Sequence, residues 1–494
     1  MSRLHILMVA SEVSPWAKTG GLADVTGALP EALERLGHSS TTVLPRYRGV
    51  TVPDAARRVP MRVTLGVVEY DAVLHVVQVS EHRRVVFVDI PALFDRAGLY
   101  TTDGRDFPDN ADRFGMLAAA ALDFASNDAG AAPVDVIHAH DWQTGLVPVL
   151  VRTDARYRAA FANAALVFTI HNLAYQGVFV RDMVPRFGLP WSVFTMDTGE
   201  FWGGFSFLKA GITHSDIATT VSPTYARETL RPDAGVGMNG VLAALGDRYV
   251  GILNGIDTDI WNPGTDSLLP ANFDVGDLDG KQVNKRRLLE HFNLPVGDDA
   301  LARPLVGMVS RLVEQKGLDL IERAAPELAQ LDATWIFLGT GDARYETFLR
   351  GFARDYPSRV GVHIGFDERL AHLVEAGSDM FLMPSVFEPC GLNQMYSLRY
   401  GTVPVVAAVG GLEDTIQPYT ARARHANGFK FRDQSPETLV RTLKQATRLY
   451  HDKAAWIPLM ERGMTADHSW QTSAREYVKV YGRARQSAAS RGAR

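Results

Sequence analysis

Two basic residues and one carboxylate stand where strand-like runs give way to polar loops. Arg311 and Lys316 follow the apolar run Leu305 to Val309, and Glu388 follows Met380 to Met383. Arginine suits bidentate contact with an anion and lysine acts as a point charge, so both can meet one diphosphate if their loop curls. The competing reading is a surface segment with its charges in water. A carboxylate at Glu388 can accept sugar hydroxyls or stabilise positive charge at an anomeric carbon. It can equally cap a helix starting near Gly391. A third stretch, Lys18-Thr19-Gly20-Gly21, follows the apolar run His5 to Ala10. It opens a helix whose apolar positions Leu22, Val25, Leu29, Leu33 and Leu36 have helical spacing, with Gly37 placed to end it. Paired glycines at a helix start let a ligand approach the backbone, and free N–H groups there favour an anion. With Lys18 beside them, a phosphate-bearing ligand is one reading and a tight turn with a solvated lysine is the other.

Other residues carry weaker signals. His171 and Asn172 follow the run Leu166 to Ile170, where a lone histidine is more often structural than catalytic. Asp24 lies in a first helical turn, which stabilises a carboxylate in any case. Cys390 is the one cysteine and has no paired histidine in its local sequence, so it is not read as a nucleophile. Asp257-Thr258-Asp259 has the look of a metal motif but is read as chance, and no cluster has zinc-ligand spacing. Trp142, Tyr175, Phe179, Phe201 and Trp202 can stack on sugar rings, although core packing accounts for about half of such aromatics.

The elements that must position these residues alternate between β-rich and helical runs. Val85 to Ile90, Val134 to Ile137, Leu166 to Ile170 and Ile217 to Val221 read as strands in the first half. Leu305 to Val309, Trp335 to Leu338, Val360 to Ile364, Met380 to Met383 and Val403 to Ala407 do so in the second. Such alternation predicts parallel α/β sheets, and ligands bind beyond the carboxyl ends of their strands. A chain of 494 residues is too long for one ordinary core, so two domains are expected. A composition 46% hydrophobic and 22% charged describes a soluble globular protein. A net charge of −5 speaks against non-specific nucleic-acid or membrane binding. One cysteine suits a reducing compartment, and the start lacks the pattern of a signal peptide, so the cytoplasm is expected.

The motifs, taken together, resemble bacterial glycogen synthases and plant starch synthases. The resemblance rests on Lys18 to Val25, His138-Ala139-His140-Asp141-Trp142, His171 to Gly177, Phe207 to Ile212 and Thr220 to Ala226. It continues through Asn254-Gly255-Ile256-Asp257, Ser310-Arg311-Leu312, Gln315-Lys316-Gly317 and Phe387 to Leu392. It covers roughly residues 5 to 480. It implies an α/β fold of two Rossmann-like doubly wound domains facing across a cleft (GT-B). The expected divisions are 1–250 on the glucan side, 251–465 on the nucleotide-sugar side, and 466–494 as a helix returning to the first domain. The tail after Arg483 is expected to fray. The implied reaction is retaining transfer of glucose from ADP-glucose to the non-reducing end of an α-1,4-glucan, without cofactor or metal. Glu388, His171, Arg311, Lys316 and Asp141 are the implied catalytic residues. Lys18, Gly20, Gly21, Asp24, Asn172, Asn254, Cys390, Gly391, Leu392, Gly410 and Gly411 are the implied binding residues. Three departures stand out. Ala407-Ala408-Val409 replaces an Arg-x-Thr pattern before the paired glycines, leaving the backbone N–H groups of Gly410 and Gly411 as the expected phosphate donors. Gln143 replaces a common histidine, and Asn239 a common acidic residue.

Overall fold

The computed structural model describes residues 3–102, 104–128 and 132–492. The chain forms two α/β units, one comprising Met1–Gly255 with Trp470–Arg494, the other Ile256–Ser469.

The first unit is built on a nine-stranded sheet. Across it run Tyr249–Gly251, Ile217–Thr220, Ala165–Ile170, Val136–His140, His5–Val9, Ser39–Pro45, Arg83–Asp89, Val68–Gln78 and Arg57–Leu65. The pairings from Tyr249–Gly251 to Arg83–Asp89 are parallel, and the last two strands add an antiparallel hairpin. The parallel strands are apolar because both faces are covered: His5–Val9 and Ala165–Ile170 are buried throughout. The hairpin escapes a search for apolar runs because its strands mix buried and exposed positions.

The helix Gly21–Arg35 buries Val25, Leu29, Ala32 and Leu33 in one cluster with Ile6 and Met8 of the first strand. It ends where its spacing predicts. Gly37 is left-handed at φ +86, and the N–H groups of Gly37 and His38 turn back to the carbonyls of Glu34 and Leu33 at 2.8 and 3.0 Å. The same cluster receives Trp470, Tyr477 and Tyr481 from the helix Trp470–Gly492. That helix continues past Arg483, where fraying was expected. Ala484 and Ala488 are buried in the cluster, and Arg485 reaches Asp135 at 3.3 Å. The small residues that look like a loose tail are the ones that let the helix pack closely.

The second unit holds a six-stranded parallel sheet in the order Val360–Ile364, Thr334–Gly339, Leu305–Val309, Met380–Met383, Val403–Ala407, Phe429–Phe431. Strand order reverses between Leu305–Val309 and Met380–Met383. At such a switch point the loops leaving adjacent strands part to opposite faces and open a crevice. The first unit has its equivalent between His5–Val9 and Val136–His140.

Candidate active site

In the second unit the two loops that leave the switch point are fastened together. After Leu305–Val309 come Ser310, Arg311 and a single turn of 3-10 helix, Glu314–Lys316. Gly317 follows at φ +76, and a Cβ there would lie 2.0 Å from the carbonyl oxygen of Pro384. Glycine is therefore required both by backbone conformation and by the approach of the second loop. Gln315 stitches the loops: its carbonyl accepts from the Val386 N–H at 2.9 Å, and its Nε2 donates to the Phe387 carbonyl at 3.2 Å. Lys316 Nζ consequently donates to Glu388 Oε2 at 2.6 Å, and Ser385 Oγ donates to the same oxygen at 2.9 Å. Glu388 does not cap a helix, since Asn393–Arg399, which starts after Leu392, has no side-chain cap. Arg311 is exposed, and its guanidinium lies 3.3 Å from Gln315 Oε1. Gln315 thus organises the site without having been singled out, although it sits inside the Gln-Lys-Gly motif.

The paired glycines pack tightly against the Glu388 loop. Gly410 has φ +44, and its Cβ would fall 1.8 Å from the Glu388 carbonyl oxygen; a Cβ on Gly411 would fall 2.1 Å from that of Cys390. The Gly411 N–H donates to the Glu388 carbonyl at 3.2 Å, so this amide also ties the two loops together. Gly391 is left-handed at φ +73, and Cys390 is buried. Ala407 is wholly buried in an apolar cluster with Val405, Phe429 and Phe431, and Val409 packs against that cluster. Ala407 is therefore core, and Val409 lies partly buried beside it.

In the first unit the helix-start turn already holds an anion of its own. Glu12, buried, accepts from Thr19 N–H at 2.5 Å, Thr19 Oγ1 at 2.6 Å, Gly20 N–H at 3.3 Å and Tyr100 OH at 2.6 Å. The amides of Thr19 and Gly20 are therefore engaged by Glu12, ahead of the first helical residue, Gly21. Lys18 Nζ pairs with Asp24 at 2.6 Å. Gly20 has an extended backbone at φ −163, and a Cβ on it would meet nothing within 4 Å. The fold itself does not demand glycine at that position, whereas close approach of a ligand would. Glu12 was not singled out from sequence because no motif marks it and one of its partners, Tyr100, lies 88 positions away.

Beyond Val136–His140 the backbone turns sharply at Asp141, φ +57, whose Oδ1 accepts the His171 N–H at 2.7 Å. Desolvation pushes Asp141 up to about 7, against the pull of the His171 and Asn172 amides. Asn172 Oδ1 accepts the Ala174 N–H at 3.0 Å. His171 Nε2 lies 3.0 Å from His140 Nδ1, while His138 contacts Tyr481 OH and Thr169 Oγ1 at 2.9 and 2.6 Å. Burial pushes His138 and His171 down to about 3 and His140 down as well. These imidazoles are neutral, so His171 offers a sugar hydroxyl a neutral hydrogen bond and no positive charge. Asn254 is buried with its Oδ1 unpaired, and Gln143 is buried with its Oε1 unpaired. Asn239 begins the helix Asn239–Leu245. Among the aromatics, Trp142 belongs to the core against Phe114, while Tyr175 and Trp202 are exposed.

Asp257 is occupied locally, its Oδ1 accepting the N–H groups of Asp259 and Ile260 at 2.9 and 3.1 Å. Among the described residues, no group of three or more His, Cys, Asp or Glu could hold a metal ion, and no helix is long and apolar enough to cross a membrane.

Two parallel-sheet α/β units, the second with a cation–carboxylate pair at its switch point, define a GT-B glycosyltransferase. The family model described as "Starch synthase catalytic domain" matches residues 5–244, and that described as "Glycosyl transferases group 1" matches residues 298–458. Glycogen synthase of Anaeromyxobacter dehalogenans is 48% identical over 479 residues, spanning 97% of this chain and 99% of that one. Glycogen synthase of Koribacter versatilis is 44% identical over 485 residues, spanning 98% and 99%. The solved catalytic domain of starch synthase IV from Arabidopsis thaliana, bound to ADP and acarbose, superposes with a TM-score of 0.89 at 33% identity. It covers 98% of this chain and 100% of that one. The chain belongs to the glycogen synthase and starch synthase family.

Proposed function

We propose that the chain transfers glucose from ADP-glucose to the non-reducing end of an α-1,4-glucan such as glycogen, with retention and without a metal. The carrying observation is the 2.6 Å pair of Lys316 and Glu388 at the switch point of the second sheet. As the bond from C1 to the diphosphate breaks and one to the acceptor 4-oxygen forms, negative charge grows on the leaving group, whose departing oxygen takes up the hydroxyl proton. Arg311 and Lys316 supply preorganised positive charge there, which is usually the largest catalytic contribution. Glu388, held by Lys316 and Ser385, orients the glucose and faces the positive charge that develops at its anomeric carbon. It is not assigned as a covalent nucleophile. His171, kept neutral and oriented by His140, hydrogen-bonds a glucose hydroxyl, and Asp141 fixes the backbone at His171. Gly20 and Lys18 offer the donor phosphates an open approach on the first unit.

An ADP-linked donor is supported by the ADP bound in the starch synthase IV structure. The reading assigns the chain to the cytoplasm, and its one free thiol, Cys390, suits a reducing compartment. The test is transfer of labelled glucose from ADP-glucose and from UDP-glucose, with and without glycogen. Glycogen-dependent incorporation from ADP-glucose is expected. Preferential incorporation from UDP-glucose would overturn the donor assignment, and no incorporation from either would favour a glucan-binding protein without catalysis.

A further inference from the structure

Trp202 is 87% exposed, yet its position is closely specified. It sits at the tip of a tight hairpin in which Phe201 pairs with Gly204, and its own backbone is left-handed at φ +51. A bulky residue in that region is an outlier that persists only where its surroundings enforce it. The surroundings do so from three sides. The Gly203 N–H donates to Glu200 Oε1 at 2.7 Å. Lys209, buried, donates from Nζ to the carbonyls of Met196 and Glu200 at 2.5 and 2.6 Å. Phe201 stands edge-on to the indole at 6.1 Å between ring centroids. Beneath the pair runs Gly237, φ +78, whose Cβ would lie 3.0 Å from the Phe201 ring and 3.5 Å from Trp202 Nε1. The preceding Val236 is a second left-handed outlier at φ +46, and its carbonyl accepts from Gln176 Nε2 at 2.9 Å.

This apparatus holds a large aromatic face in water, where it adds nothing to the core. It is also continuous with the loop that carries His171, because Gln176 lies on that loop and fastens Val236. We infer that Trp202 is a stacking platform for a glucose ring of the α-glucan acceptor. The inference rests on the glucan reading proposed above. A pyranose ring presents a flat C–H face that matches an indole, and its rim hydroxyls stay in water or meet the indole Nε1–H. A repeating glucan offers such faces in series, so one fixed ring can engage any chain long enough to reach it.

The test measures glycogen binding by retardation in native gels containing glycogen, and kinetics with glycogen as acceptor. Trp202→Ala is expected to weaken retardation about tenfold and raise the KM for glycogen by a similar factor, more than it lowers kcat. Trp202→Phe should recover most of the affinity, and Phe366→Ala, which removes an equally exposed aromatic from the second unit, should leave retardation unchanged. Unchanged retardation in Trp202→Ala would overturn the inference. So would a fall in self-association on size-exclusion chromatography, which would make the face an interface between copies of this chain. A wild type that binds glycogen through Trp202 but transfers no glucose would overturn the proposed function and leave the platform standing. A wild type that transfers glucose while Trp202→Ala behaves identically would do the reverse.

Discussion

Lys316 Nζ donates to Glu388 Oε2 across 2.6 Å, although the two residues are 72 positions apart in the chain. Two motifs far apart in the chain are therefore joined, a cation and a carboxylate shared between the loops of a switch point. Each side chain is mostly out of water, so removing one strands the other.

Removing either partner should separate two effects. Glu388→Gln keeps shape and the Ser385 contact; it should depress kcat while leaving ADP affinity nearly intact by calorimetry. If Lys316 and Arg311 face the leaving diphosphate as proposed, turnover should fall by about 100- to 1,000-fold in each of Lys316→Ala and Arg311→Ala. Circular dichroism checks folding. Near-wild-type turnover in both basic variants would refute their role.

Ala407→Arg with Val409→Thr restores the family pattern, but Ala407 is wholly buried in the second unit's apolar cluster. An unpaired guanidinium there is strongly disfavoured. The variant should melt at a lower temperature and bind ADP-glucose no more tightly. Tighter binding without loss of stability would show that this position can turn its side chain towards the donor.

Acid should weaken the first unit through its histidines. His138 and His171 fall from 6.5 to about 3 on folding. Below pH 6.5 the unfolded chain takes up protons that the folded one refuses. Each histidine should therefore lower stability by roughly 1.4 kcal/mol per pH unit as pH falls towards 3. His138→Gln should flatten the dependence, as measured by thermal unfolding across that window.

Asp141 works in the opposite sense. Its folded value of about 7 lies above the ordinary 3.8, so between those limits the folded chain keeps a proton that the unfolded chain has lost. Stability from this group is present at low pH and is lost as pH rises towards 7. Asp141→Asn should gain melting temperature relative to wild type at pH 8 more than at pH 5. Equal changes at both pH values would refute the shift.

On the proposed mechanism, in which Arg311 and Lys316 supply positive charge at the leaving group, exhaustive chelation should leave glucose transfer intact. Activity lost to chelation and restored by magnesium or manganese would refute this reading.

Much of the architecture was legible in the chain itself. Leu305–Val309, Val360–Ile364, Met380–Met383 and Val403–Ala407 appear in the structure with the bounds that their apolar runs predict. Buried parallel strands must be apolar along their whole length, and that leaves a local record. Arg311, Lys316 and Glu388 follow two of those strands, and His171 follows Ala165–Ile170, as their apolar runs predict. What the sequence could not carry was partnership. That Tyr100 reaches Glu12, that His140 meets His171, that Gly411 holds the Glu388 loop and that Ala407 is core all depend on groups from separate segments meeting. The apparent fraying after Arg483 had the same origin, since alanines suited to close packing on a neighbour look like a loose tail when the neighbour is unseen. Sequence records which groups a segment brings; only the folded chain decides which of them are shielded from water and what they face, and those two facts set charge, hydrogen bonding and reactivity.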